Sequence, residues 1–313
     1  MNKIMTTIKL ICLLLIFGTV GASNATAQKT YRQNLEWLSK IQERYKDDPE
    51  GYRKYVTKQI KIFNDSIKDP KNLDLQNAFS SGEELIIMSS TLRLDITIAL
   101  ATIGYEHTFS KNPNKKYIDF AESMALDAIR EIKEDKVSAC GCYGAYSYAY
   151  KNSEYPASKF NALGWMYYIV AHIKDFQGEK EAALPYFYQA TSEFSGAHKN
   201  PMLYYKIGEW FDKKSVLVKD QQIARKQANG NIDDTKTADL RAMEKGYLYR
   251  ALQAYAIAYR YNQNQVSKQK LLEYIKQLYA NLFDGKTEGF NMWLAGSRFD
   301  GFYSPETPVK PIQ

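Results

Sequence analysis

Two cysteines one residue apart, Cys140 and Cys142, are the sharpest chemical pairing this chain offers. In an oxidising compartment two thiols across Gly141 can close a tight disulfide, pair with another molecule, stay free, exchange redox equivalents or sit as small buried residues. They do not make a zinc site: the only other cysteine, Cys12, lies in the N-terminal apolar run, and tetrahedral zinc needs four ligands. His107, His172 and His198 fall in three different segments with no second ligand at metal-binding spacing, so no metal and no cofactor is implied. Nucleophiles fare no better. Ala145-Tyr146-Ser147-Tyr148-Ala149 carries alanines where a hydrolase elbow needs glycines. Ser267 and Lys270 have serine–lysine spacing, but Ser267 has a competing duty as a helix cap. No carboxylate pair is singled out by spacing, so no catalytic residue is assigned.

The N-terminus bounds the compartment. Met1 to Ala27 has Lys3 and Lys9, no acid, an apolar run from Leu10 to Phe17 and a small-residue ending at Ala25-Thr26-Ala27, the layout of a cleaved secretory signal. The run is too short to span a bilayer. The expectation is therefore an exported protein, periplasmic or secreted, starting near Gln28. Cleavage would lower the formal charge from +7 to about +5. Lysines and acids are interleaved, as in Lys54, Lys58 and Lys61 against Asp47, Asp48 and Glu50, and the Lys115-Lys116 and Lys213-Lys214 pairs are isolated. That is a solvated surface rather than a nucleic-acid footprint.

The elements that must position any site all read helical. Leu35, Leu38 and Ile41 share one face of Tyr31 to Lys46, and Val56, Ile60 and Phe63 one face of Tyr52 to Ile67, which predicts an antiparallel hairpin. Ser81 and Glu84 have capping-box spacing ahead of an apolar stretch through Ile103. Pro113 opens a helix through Ile132, and Pro201 sits at the first turn of another. The polar interruption from Lys213 to Thr237 holds Asn229-Gly230, which predicts a turn between two helices. Ser267 caps a last long helix, Lys268 to Phe283, and a short one follows near Glu288 to Ala295. The domain runs from 28 to 303, and the tail, 304 to 313, with three prolines, is expected to be extended and mobile.

Within this pattern one spacing recurs. Phe160, Leu163, Gly164 and Tyr167 precede Ala183, Phe187 and Ala190; Tyr204, Ile207, Gly208 and Phe211 precede Ala251, Tyr255 and Ala258. Intervals of three and four put each set on one helical face, where Gly allows close approach, Ala meets it and the ring fills the adjoining gap. A poorer unit precedes them, with Leu100, Ile103 and Gly104 ahead of Ala121, Ala125 and Ala128. The pattern resembles the tetratricopeptide repeat, whose period is about 34 residues. Here Gly164 and Gly208 lie 44 residues apart, and the step from Gly to Ala is 19 residues in one unit and 43 in the other, so longer helices or insertions absorb the surplus. The clearest matches cover residues 157 to 262.

The resemblance implies an all-α fold, a superhelix of antiparallel hairpins, and a role in binding a protein or peptide rather than in catalysis. In that family the first helices of successive units line the concave surface, which here presents Asn161, Trp165 and Tyr168 from one unit and Tyr205, Glu209 and Asp212 from the next. Glu209 and Asp212 favour a partner with an exposed Lys or Arg segment. Two rival classes stand beside this one: a helical envelope hydrolase or lyase acting on a glycan, with convergent carboxylates in a deep pocket, and a structural subunit of an envelope assembly.

Overall fold

A computed structural model describes residues 40–41, 43–69, 72–139, 143, 158–193, 195–297, 302 and 304–312. The signal segment, Cys140 and Cys142, the serine at 147 and most of the Tyr31 to Lys46 helix lie outside the described residues. Ten α-helices run from Pro49 to Gly296, and no strand occurs among the described residues. They are α1 (Pro49–Ile67), α2 (Leu75–Met88), α3 (Arg93–His107), α4 (Lys115–Lys133), α5 (Lys159–Phe176), α6 (Lys180–Ser192), α7 (Pro201–Ala228), α8 (Thr235–Tyr261), α9 (Gln265–Leu282) and α10 (Phe290–Gly296), with a 3-10 turn at Gly196–Lys199. None is long and apolar enough to cross a membrane.

Compactness divides the chain into two units, Met1–Lys58 and Gln59–Gln313. In the first, Tyr45 packs its ring against Tyr52 at 6.2 Å and Tyr55 at 5.6 Å. The second holds α2 to α10. Its hairpins α3/α4, α5/α6 and α7/α8 are each packed along their length, and each second helix leans on the next first helix, α4 on α5, α6 on α7 and α8 on α9. This packing buries Leu100, Ile103, Ala121, Ala125, Phe187, Tyr204, Phe211 and Tyr255 almost completely.

Short polar side chains cap α2, α4, α5, α7, α8 and α9, though not always at the expected residue. Asp74, not Ser81, caps α2 by accepting from Asn77 N at 3.1 Å; Ser81 instead lies inside that helix. Asn114 follows Pro113 and caps α4, accepting from Lys116 N at 3.0 Å. Asn264 caps α9 by accepting from Ser267 N at 3.0 Å, so Ser267 is the receiving residue and not the cap. Pro49 opens α1 after a turn at residues 45–47. The turn between α7 and α8 falls at Asn229 to Asn231, with Gly230 and Asn231 at positive φ.

The three glycines of the recurring motif all sit at close approaches, but against different partners. A Cβ on Gly104 would lie 2.1 Å from that of Ala121, the glycine–alanine meeting the motif describes, in the unit with the poorest match. On Gly208 it would strike the ring of Tyr255 at 2.8 Å rather than Ala251, and on Gly164 the hydroxyl of Ser195 at 2.0 Å, past the end of α6, rather than Ala183. Phe160, assigned to the packing face, is 54% exposed.

Candidate partner-binding cleft

Helix α6 has 13 residues and α7 has 28, so α6 covers only part of its neighbour. Where α6 begins, a cleft of about 240 Å³ opens between the end of α5, the start of α6 and the middle of α7. Leu184 and Phe187 from α6, with Trp210 and Leu217 from α7, form its apolar lining. Lys206, Trp210, Lys213, Lys214 and Leu217 recur at helical intervals, which is why one face of α7 presents all of them.

The rim is charged in alternation. Lys206 Nζ meets Asp175 at 2.8 Å and Glu209 at 3.9 Å, Lys213 meets Glu209 at 3.1 Å, and Lys214 meets Glu181 at 3.3 Å while lying 5.3 Å from the centre of the Trp210 ring. Burial opposes the charge on Lys206, but the Asp175 carboxylate outweighs it and holds the ammonium above its ordinary range. Lys180, exposed at the head of α6, has no ionic partner among the described residues. Trp210 Nε1 is buried and has no hydrogen-bond acceptor among the described residues. A buried N–H left unmet costs about 1–3 kcal/mol relative to one that is satisfied.

The six residues expected on the groove separate into two groups. Asn161 is wholly buried and its side-chain oxygen accepts from Gly196 N at 3.1 Å, anchoring the 3-10 turn. Tyr168 is 4% exposed, in an aromatic stack where Tyr105 Oη donates to its hydroxyl at 3.4 Å. Trp165 is half-buried, edge-on to Tyr168 at 5.6 Å. On α7, Tyr205 is 41% exposed and packs on Tyr255 at 5.5 Å. Asp212 accepts from the Tyr274 hydroxyl of α9, and Glu209 lines the cleft. Trp210 and the lysines around it escaped the sequence reading, although the intervals from Lys206 to Leu217 carried the signal. Lys213-Lys214, read as an isolated surface pair, is part of the rim.

Elsewhere the polar groups have local duties. His107 Nε2 accepts from Asn114 N at 2.8 Å, His198 Nδ1 contacts Ser195 O at 2.7 Å, and His172 Nε2 meets Thr108 Oγ1 at 3.0 Å. Burial drives the His172 pKa down to about 4. No group of three His, Cys, Asp or Glu among the described residues is placed to hold a metal. The flanks of the two cysteines are tied to a buried carboxylate: Ser138 Oγ donates to Asp95 at 2.6 Å and Ala139 N at 3.1 Å.

Fold and cleft together define an all-helical protein of successive packed hairpins with a mixed-charge, tryptophan-lined cleft between two of them. Comparison with protein-family models, curated proteins and solved structures finds no match.

Proposed function

We propose that this chain is an exported, tetratricopeptide-like scaffold that binds a protein or peptide partner without chemistry of its own, and that the α5–α6–α7 cleft is where the partner docks. The hairpin succession α3/α4, α5/α6, α7/α8 supports the repeat reading, since it is the order in which such units stack. One observation carries the binding reading: the Trp210 side chain lines an apolar cleft rimmed by ion pairs, and its indole N–H is buried without an acceptor among the described residues. A cleft of about 240 Å³ takes one or two side chains rather than a large cofactor. The partner supplies an apolar group over Phe187 and Leu184 and a carbonyl or carboxylate to the indole. A cationic group beside it competes with Lys206 and Lys213 for Glu209, while Trp165 and Tyr205 lie on the same two first helices and extend the contact.

Peptides selected from a random display library against the mature chain test this. They should bind Trp210→Ala about 30-fold or more weakly, the loss of a central aromatic anchor of about 2 kcal/mol. Equal affinity for both proteins would remove the cleft from the account.

A further inference from the structure

The tail that the sequence presents as free is held. Phe302 packs its ring against Tyr188 at 5.8 Å and Tyr204 at 5.3 Å, and the chain then turns, with Thr307 N donating to Ser304 O at 3.0 Å. From there it runs along α8. Arg250, 7% exposed and set 5.5 Å from the centre of the Phe211 ring, donates through Nη1 to Thr307 O at 2.7 Å and Ser304 O at 3.4 Å, and through Nη2 to Pro308 O at 2.6 Å. At its far end Ile312 N donates to Ala242 O, within the helix, at 2.8 Å. Between these anchors Gly246 makes a notch: a Cβ there would lie 2.3 Å from Lys310 O and 2.8 Å from Val309 Cγ1. Glycine inside a 27-residue helix costs about 1 kcal/mol relative to alanine, and here it admits another backbone.

We propose that the Gly246–Arg250 face of α8 is a peptide-binding groove whose resident occupant is the chain's own tail, and that a partner's extended, proline-flanked segment with branched apolar residues three apart exchanges with it. Three features point to a ligand site. Recognition is mainly of peptide carbonyls, which any extended segment offers. Val309 and Ile312 are partly buried while Pro308, Lys310 and Pro311 are exposed, so two branched residues three apart carry the side-chain contact. The prolines hold the residues before them, Thr307 and Lys310, out of the helical region and lower the entropy lost on docking. The groove also continues: a cleft of about 370 Å³ adjoins Ile312, lined by Tyr249, Leu282, Phe283 and the Lys245–Asp284 pair, room for further residues of a longer ligand. Arg250 makes the process an exchange. Its buried guanidinium needs carbonyl oxygens, so the tail leaves when a second segment supplies them.

The test uses the full-length chain carrying Val309→Asp and Ile312→Asp, which frees the groove of its tethered competitor. A labelled peptide with the sequence of Ser304 to Gln313 should bind this variant at least tenfold more tightly than the intact chain, and adding Gly246→Leu should return the affinity to that of the intact chain or below. Equal binding to the intact and doubly substituted chains, or indifference to Gly246→Leu, overturns the proposal. So does loss of the helical circular-dichroism signal in the double variant, because the tail would then be part of the core.

Discussion

The long hairpin α7/α8 carries two recessed faces that solve the same problem in opposite ways. At the Trp210 cleft the side chains provide the recognition, and a buried donor has no acceptor among the described residues. At the Gly246–Arg250 face the backbone is recognised, and the chain's own tail satisfies the donors. The difference lies in what each leaves unmet. A cleft whose indole N–H has no acceptor among the described residues gains from one that reaches it, whereas a filled groove gains nothing until a rival matches contacts it already has. The first is built for direct capture and the second for exchange.

The hairpin that bears both faces is the first place to strike. Gly208→Leu forces a branched side chain against the Tyr255 ring, where even a Cβ would come within 2.8 Å. It should cost about 3 kcal/mol, read as a shift in denaturant midpoint. Gly164→Leu should cost less, about 2 kcal/mol, because it meets Ser195 at the end of the hairpin rather than a ring wedged between helices. Losses below about 0.5 kcal/mol at both would show that the close approaches do not support the stack.

Arg250→Ala separates the two faces. It removes a buried cation that holds three tail carbonyls, and should destabilise by about 2 kcal/mol and raise amide exchange at Ile312. Peptide capture at the Trp210 cleft should be unchanged. A fall in that capture would mean the two faces are coupled.

Protonation sharpens the comparison from the cleft side. Burial is the main cause of the low His172 pKa, about 4, with Asp175 pulling it up and Lys206 pushing it down. The unfolded imidazole titrates near 6.5. The unfolded chain therefore takes up the proton first. Stability is full above about pH 6.5, falls as the pH drops, and levels off below about 4, a loss of about 1–2 kcal/mol once solvent screening is allowed for. His172→Gln should flatten that part of the profile; an unchanged slope would place the cause in other groups.

Helix content was legible because apolar intervals of three and four persist through almost every segment, and the turn at Asn229-Gly230 announced itself in its residues. Cap positions were less so: Ser81 and Ser267 have the right chemistry, but Asp74 and Asn264 stand seven and three residues upstream with equal claim. The glycine spacing located the close approaches, yet not their partners, since Gly164 meets Ser195 and Gly208 meets Tyr255 through helix lengths that one motif does not specify. Asn161 and Tyr168 fell on a face that looked unused because the 3-10 turn and the Tyr105 ring that bury them come from elsewhere in the chain. The docked tail was invisible for the same reason: nothing in its three prolines names Arg250 or Gly246.

The most direct measurement is the ¹⁵N–¹H spectrum of the indole groups during titration with a selected peptide. Of the four tryptophans, Trp37, Trp165, Trp210 and Trp293, the account predicts that the Trp210 Nε1–H resonance moves furthest downfield, as its proton gains an acceptor, and that Trp165 shifts less. If Trp210 stays in place while the peptide binds, the partner docks elsewhere and the cleft is not the site.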